Sequence, residues 1–202
     1  RAFGSCAFFL LTIILCIGPL ARLDRRFLPL LYNRRHFGVL TFTIGVVHAS
    51  YVLGWYFAYS SVNPYVAVLG SNTDYGQILG FPFELFGVLA LFIMMVLALT
   101  SHDFWLSFLS PPLWKALHMM IYVAYAALVL HIGLGALQSD ASVFFTFMVV
   151  VSVFAVSGLH FFAARKEADI EKHGVTSDRA DGYVVAGKVD DIAERRALIV
   201  SL

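Results

Sequence analysis

The chain has 202 residues, of which 60% are hydrophobic and 13% are charged, and its formal net charge is +1. Soluble domains carry roughly 25% charged and about 45–50% apolar residues, so a soluble fold of this size cannot bury so much apolar surface. The surplus must face lipid. The small net charge gives no support for binding to nucleic acid. Fifteen of the 27 charged side chains follow Ala164, which predicts a transmembrane body at 1–164 and a polar tail at 165–202.

Five apolar stretches are long enough to cross a bilayer, which takes about 20 residues of helix. They lie, in chain order, at residues 5–21, 37–59, 78–100, 113–137 and 142–164. Alternating barrel patterning is absent, so each stretch is predicted to be a helix. The expected fold class is therefore an all-α polytopic transmembrane helical bundle. A further helix upstream would raise the count from five to six and place both ends of the chain on one side of the membrane.

The positions of Lys and Arg predict the orientation, because these residues accumulate in cytoplasmic loops. The loop after the first predicted span holds five arginines, residues 60–80 hold no Lys or Arg, and the tail begins with Arg165 and Lys166. With Lys115, at the start of the fourth predicted span, counted in the third loop, every odd-numbered loop is more basic than every even-numbered one. We therefore expect the carboxyl terminus in the cytoplasm and the protein in a bacterial-type plasma membrane.

The polar tail is predicted to continue the fifth span as a helix that ends at Gly174, followed by a turn at residues 177–182. Residues 183–185 and 197–202 have the composition of short strands. Two strands cannot bury a core alone. The tail is therefore expected to open a β-rich domain.

Four of the seven histidines lie within the predicted spans: His48 on the second, His118 and His131 on the fourth, and His160 on the fifth. Ionisable residues in a membrane are costly and usually face a partner inside the bundle. A neutral imidazole can donate a nitrogen lone pair to a metal, and two imidazoles from neighbouring helices can clamp a haem iron. The pattern predicts a haem site, with His48, His118 and His131 as candidate iron ligands.

Other roles for these histidines must be weighed. A single intramembrane histidine can bond a hydroxyl or carbonyl of a neighbouring helix, and candidates near His48 are Thr41, Thr43 and Ser50. Histidines on two helices, with no Asp, Glu or Lys deep beside them, favour haem instead. Zinc is disfavoured, because it usually takes three or four protein ligands.

Depth along the spans does not choose which histidines pair, because His48 falls midway between His118 and His131. The thirteen residues from His118 to His131 turn an ideal helix so that the two side chains face different ways. A kink or a π-bulge between them is needed to bring both to one face.

These residues resemble the ferric reductase-like transmembrane family, which includes NADPH oxidases and the haem-binding membrane subunit of the bacterial methionine sulfoxide reductase system. Residues 34–38 followed by His48 are similar to that family's third helix, and the stretch from His118 through Tyr122 to His131 is similar to its fifth. The resemblance covers residues 5–164 and implies that the family's first helix lies upstream. It also implies that His48 and His131 pair on haem b, on the outer side.

The sequence departs from the family pattern at Arg34, where members with two bis-histidine haems carry a second histidine. The resemblance thus implies one haem. It does not decide whether a second haem binds at His118, because His118 would face Arg34 rather than an imidazole. Arg34 and Arg35 are candidate partners for haem propionates. A solvated position at the cytoplasmic surface is the alternative for both arginines.

The end of the tail, at residues 182–187 and 196–200, resembles the opening strands of a Rieske-type iron–sulfur domain. The resemblance implies a 2Fe-2S cluster in a domain beyond these residues. No Cys-x-His ligand pair lies within the chain itself. An ordinary β-hairpin is the alternative.

These features predict a b-type cytochrome domain that carries single electrons as a component of an oxidoreductase. No GxGxxG fingerprint for flavin or NAD(P)H occurs, so reducing equivalents are expected from a redox partner protein or domain on the cytoplasmic side, with a quinone as a further candidate. The alternatives are a proton-relay transporter, for which Glu84 is the only candidate carboxylate, and a plain membrane anchor for a cytoplasmic domain.

Overall fold

A computed structural model of the chain describes residues 2–59, 61–78, 80–139 and 142–180. Within these ranges the chain is helical apart from short connections, and no strand is present, which confirms the all-α prediction. A 3-10 turn at Arg25–Phe27 and a π-helical turn at Ile132–Ala136 interrupt the α-helices. The α-helices are α1 Ala2–Leu23, α2 Leu28–Tyr59, α3 Pro64–Gly70, α4 Glu84–Leu99, α5 Asp103–Phe108, α6 Pro111–Met119, α7 Ile121–His131, α8 Leu137–Ser139 and α9 Val143–Ala180.

Four helical segments of the described chain are long and apolar enough to cross a membrane: Ala2–Leu23, Arg25–Trp55, Pro111–Ala136 and Val143–Ile170. Four of the five predicted spans are therefore present at this length. The remaining one, predicted at 78–100, forms the apolar helix α4, which has 16 residues. At about 1.5 Å per residue it is roughly 24 Å long, somewhat less than the hydrocarbon thickness of about 30 Å.

Helix α4 begins later than predicted because of Gly80 and Pro82. Gly80 has φ of +86°, a left-handed conformation that favours glycine and does not continue a helix. The ring nitrogen of Pro82 has no hydrogen to donate, so proline is tolerated only in the first turn of a helix. The regular helix starts directly after these residues, at Glu84.

Helix α2 begins earlier than predicted, at Leu28 rather than at residue 37. The predicted loop that held Arg34 and Arg35 is wrong, because both residues lie on the helix. The actual connection from α1 is the turn Arg25–Phe27, which the Asp24 carboxylate caps by accepting a hydrogen bond from the Arg26 N–H at 2.9 Å.

Helix α9 is described over the 38 residues Val143–Ala180, and Ala180 is the last residue that the structure describes. The predicted helix end at Gly174 is therefore wrong, and the turn predicted at residues 177–182 is wrong over residues 177–180, which are helical. The two predicted strands lie outside the described residues. Near the end of α1, Lys166 donates to the Leu23 carbonyl at 2.7 Å, and Arg22 pairs with Glu167 at 3.4 Å. These bonds hold α9 against the end of α1.

Helix α1 is central, because it packs on α2, α7 and α9, while α4 packs on α2 and α7. Helices α2 and α7 are thus bridged by α1 and α4 and make at most a marginal contact with each other. In the middle of the bundle the rings of Phe8 and Tyr125 stack at 5.6 Å, and the hydroxyls of Thr12 and Tyr125 share a hydrogen bond at 3.2 Å. These contacts join α1 to α7.

The bundle has two distinct ends. The basic end is the one where α1 and α4 finish and α2 and α6 begin. The opposite end is the one where α1, α4 and α9 begin and α2 and α7 finish. The basic end takes its name from its Lys and Arg residues: Arg22, Arg25, Arg26, Arg34, Arg35, Lys115, Arg165 and Lys166.

Candidate functional site

His131 is the last residue of α7, and its ring is held by the residue that precedes α4. The His131 Nδ1 lies 2.9 Å from the carbonyl oxygen of Phe83. A carbonyl can only accept, so Nδ1–H is the donor and Nε2 keeps its lone pair. The two rings also pack at a centroid distance of 5.5 Å. This is the tautomer in which Nε2 can ligate a metal.

Glycines on two helices leave room for this arrangement. A Cβ at Gly87 of α4 would lie 2.8 Å from the Cε1 and Nδ1 atoms of His131. A Cβ at Gly135, in the π-helical turn after His131, would lie 2.5 Å from the Phe83 ring. Phe83 is therefore packed between α4 and the turn, while its carbonyl orients the imidazole.

His48 of α2 lies at the same end of the bundle, with its ring against Gly4 of α1. A Cβ at Gly4 would lie 3.1 Å from the His48 Nε2 and Cε1 atoms and 3.2 Å from Nδ1. His48 contacts the first turn of α1 at Gly4, and His131 contacts the first turn of α4 at Gly87. The structure thus places His48 and His131 at the same end of the bundle, on helices that are bridged by α1 and α4.

The hydroxyl partners suggested for His48 bond elsewhere. Among the described residues the His48 ring makes no hydrogen bond, and each nearby hydroxyl donates to a carbonyl one turn earlier on its own helix. The donors are Thr41 to Phe37 at 2.7 Å, Thr43 to Val39 at 3.0 Å and Ser50 to Val46 at 2.9 Å. The His48 nitrogens are left available to another partner.

His118 of α6 lies at the basic end and stacks on Trp114 at 3.9 Å. Its Nδ1–H donates to the Trp114 carbonyl at 3.0 Å. Its Nε2 lies 3.5 Å from the Ser101 Oγ, but the Ser101 hydroxyl donates its hydrogen to Leu97 at 2.6 Å. The contact with Nε2 is therefore weak, and this nitrogen also keeps its lone pair.

Arg34 and Arg35, near the start of α2, share the basic end with His118 of α6. Arg35 is bonded to the Ser101 carbonyl and to Asp103, the latter at 2.7 Å. Its hydrogen bond and charge hold the pKa of the Asp103 carboxyl below the usual range. Arg34 lies against α1, where its Nη1 is 3.5 Å from the position of a Cβ on Gly18.

His118 and His131 both lie on the side of their span that faces the α4 segment. His118 contacts Ser101, just after α4, and His131 contacts Phe83 and Gly87 at its start. The helix is interrupted at Met120, between α6 and α7. The break required to bring both histidines to one face is therefore present, and the π-helical turn follows His131 rather than preceding it.

His160 of α9, which the sequence left without a partner, is fully engaged. Its Nδ1–H donates to the Val156 carbonyl at 2.8 Å, and its Nε2 accepts from the Tyr122 hydroxyl at 2.8 Å. Both nitrogens are used, so this ring joins α9 to α7 and has no lone pair to offer a metal.

Glu84, the carboxylate considered for a proton relay, is buried at the start of α4. It accepts hydrogen bonds from the Ser71 hydroxyl at 2.9 Å and from the Asn72 amide. A carboxylate is also favoured in the first turn of a helix. In this position Glu84 joins the segment after α3 to α4.

The donor set fits haem better than a metal held by protein alone. No three His, Cys, Asp or Glu side chains cluster into a metal-ion site in the part of the chain that the structure describes. A porphyrin supplies four nitrogens itself and needs two axial ligands, which neutral imidazoles provide. Two histidines on helices bridged by α1 and α4 match that requirement.

The fold and these half-buried histidines define a multi-pass helical membrane protein with an imidazole that keeps a free nitrogen lone pair at each end of its bundle. Residues 3–129 match the family described as ferric reductase like transmembrane component, and the chain belongs to this family. The match confirms the family resemblance and makes the chain a membrane component of electron transfer. It includes His48 and His118 and stops two residues before His131. No curated protein and no solved structure matches the chain.

Proposed function

We propose that the chain is a b-type cytochrome domain that binds one haem b between His48 and His131. The observation that carries the proposal is the hydrogen bond from His131 Nδ1–H to the Phe83 carbonyl at 2.9 Å, which directs a neutral Nε2 lone pair away from the bond. When bound, haem would supply reversible one-electron chemistry at its iron. Family membership supports the electron-transfer part of this proposal.

The chain's own residues have separate tasks in this proposal. His48 and His131 would hold the iron through their Nε2 atoms. The Phe83 carbonyl keeps His131 in one tautomer and orients its ring, as outer-shell partners of ligating histidines commonly do.

Arg34 and Arg35 are not proposed as partners of this haem. Both lie beside His118 at the basic end, whereas His131 contacts the start of α4, at the opposite end. The 16 residues of α4 separate the two places by roughly 24 Å. Any propionate that these arginines bind would belong to a second group beside His118, which would need a further iron ligand.

The wider setting follows from the charges. The basic end would face the cytoplasm of a bacterial-type plasma membrane, with domains at 1–164 and 165–202. A cytoplasmic redox partner or a quinone would exchange electrons with the haem, and a Rieske-type domain with a 2Fe-2S cluster beyond the tail is one such partner. The chain would serve as an oxidoreductase component.

A reduced-minus-oxidised absorption spectrum of the purified protein tests the proposal. We expect a b-type α-band after reduction by dithionite, and its loss in His48→Ala and in His131→Ala. His102→Ala is the matched control, because His102 is exposed and caps α5 by accepting from the Phe104 N–H. A wild-type protein without visible bands would leave only the transporter and anchor alternatives.

A further inference from the structure

The glycines that face the two histidines carry an inference that rests on the proposed function. We infer that Gly87 and Gly4 are positioning residues, which set the ring orientations of His131 and His48. Ring orientation matters for an axial ligand, because the overlap between the imidazole π-system and the iron d-orbitals changes as the ring rotates about its bond to the metal. Residues that fix the ring therefore tune the metal as well as hold it.

The Gly87 contact restricts the His131 ring from one side, and a hydrogen bond holds it from another. A Cβ at Gly87 would lie only 2.8 Å from Cε1 and Nδ1 and 3.3 Å from Cγ, distances that require the ring to move. The ring cannot move away freely, because Nδ1–H is bonded to the Phe83 carbonyl at 2.9 Å. Phe83 is itself packed against Gly135. A methyl group at Gly87 therefore acts directly on the orientation of this imidazole.

The Gly4 contact on His48 is of the same kind but looser. Three ring atoms of His48 lie 3.1–3.2 Å from the position of a Cβ on Gly4, so the face of the ring lies over the glycine. Within the described ranges no hydrogen bond orients the His48 ring, which leaves the surface of α1 at Gly4 as its support. The two imidazoles are thus each set by a glycine on a neighbouring helix.

The test compares Gly87→Ala with Gly133→Ala. Gly133 lies two residues after His131 in the π-helical turn, and a Cβ there would meet nothing within 4 Å. We expect Gly87→Ala to shift the g-values of the oxidised low-spin haem in the electron paramagnetic resonance spectrum. We also expect it to weaken haem retention by about tenfold or more, the usual effect of disturbing a ligand's supporting shell. Gly133→Ala should match the wild type in both measurements.

Two further variants separate positioning from packing. Gly45→Ala places a methyl group 3.3 Å from Leu91 between α2 and α4 and touches neither histidine, so it should leave the g-values unchanged. Gly4→Ala should shift them, by less than Gly87→Ala. If Gly87→Ala does not accumulate as a folded protein, the g-values of Gly4→Ala are compared with those of Gly38→Ala. A methyl group at Gly38 meets nothing within 4 Å, so only Gly4→Ala should shift the g-values.

The failure of this inference differs from the failure of the proposed function. Wild-type g-values and haem retention in both Gly87→Ala and Gly4→Ala would overturn the inference and leave the haem proposal standing. An equal shift in Gly45→Ala would also overturn it, because general packing would then explain the effect. A wild-type protein that binds no haem would defeat the proposed function, and the positioning role with it.

Discussion

Hydrogen bonds at the ring nitrogens distinguish the intramembrane histidines from one another. His160 uses both nitrogens, with Val156 and Tyr122 as partners. His131 uses only Nδ1, because its Nε2 has no hydrogen-bond partner within the described residues. An intramembrane imidazole with its N–H bonded and its other nitrogen free can bind a metal, whereas one with both nitrogens bonded joins helices. Histidines that look alike in sequence therefore have different chemistry.

Tyr122→Phe tests the role of His160. The change removes the hydroxyl that donates to His160 at 2.8 Å and keeps the phenyl ring. We expect a loss of about 0.6 kcal/mol, and at most about 1.7 kcal/mol, in the free energy of unfolding, the average and the maximum for side-chain hydrogen bonds between membrane helices, with haem content and spectrum unchanged. Thermal denaturation and absorption spectra measure the two effects. Loss of the haem bands would show that His160 acts at the metal.

The candidate residues could be located from the sequence, but their chemistry could not. Apolar surroundings placed His48, His118 and His131 in the membrane and marked them as candidate ligands. The tautomer of His131 depends on a carbonyl 48 residues away, and the orientation of its ring depends on Gly87. Neither contact has a local signal in the sequence, because both arise from the packing of α4 on α7.

At the scale of the elements, apolar runs predicted the existence of the long helices, while their ends were set by single residues. Pro82 and Gly80 delay the start of α4, and the cap at Asp24 allows α2 to begin at Leu28. The early start of α2 and the late start of α4 determine where several candidate residues lie. They place Arg34 and Arg35 on a helix beside His118, and they put Phe83 immediately before α4, where its carbonyl meets His131.

The short helix α5 is held to α2 by the Arg35–Asp103 ion pair, whose separation is 2.7 Å. Because Arg35 holds the pKa of Asp103 below the usual range, the pair stabilises the docked helix fully above the ordinary aspartate pKa of about 3.9. Its contribution is lost as the pH falls through the lowered value. We therefore expect the difference in amide hydrogen exchange in α5, corrected for its intrinsic pH dependence, between the wild type and Asp103→Asn to persist from neutral pH to about pH 5 and to disappear only in stronger acid.

Asp103→Asn provides the matching measurement for this ion pair. The neutral side chain cannot form the pair, so corrected exchange in α5 should be faster at neutral pH and should show no step in acid. Asp74→Asn, on the segment between α3 and α4, should leave α5 unchanged. An acid step that persists in Asp103→Asn would assign the effect to another group.

At the scale of the whole molecule, the two ends of the bundle have different chemistry. The opposite end brings together His48 and His131, with Lys and Arg absent from residues 60–80. The basic end combines His118 with two arginines, and α9 extends past it to Ala180. Composition was sufficient to predict the membrane bundle, because lipid permits few alternatives. The continuation of α9 past Gly174 was not predictable, because the polar tail has no apolar run to show how far its helix extends.

The orientation of the bundle follows from the same asymmetry and can be tested on the whole protein. Basic segments stay on the cytoplasmic side, so the turn at Arg25–Phe27 should lie inside the cell and the exposed Tyr75 outside. The two native cysteines, Cys6 and Cys16, are first replaced by serine. In this background a membrane-impermeant maleimide applied to intact cells should label Tyr75→Cys. Arg25→Cys should be labelled only after the membrane is opened. The reverse pattern would place His48 and His131 near the cytoplasmic face, and a cytoplasmic electron donor would then meet the haem from that side.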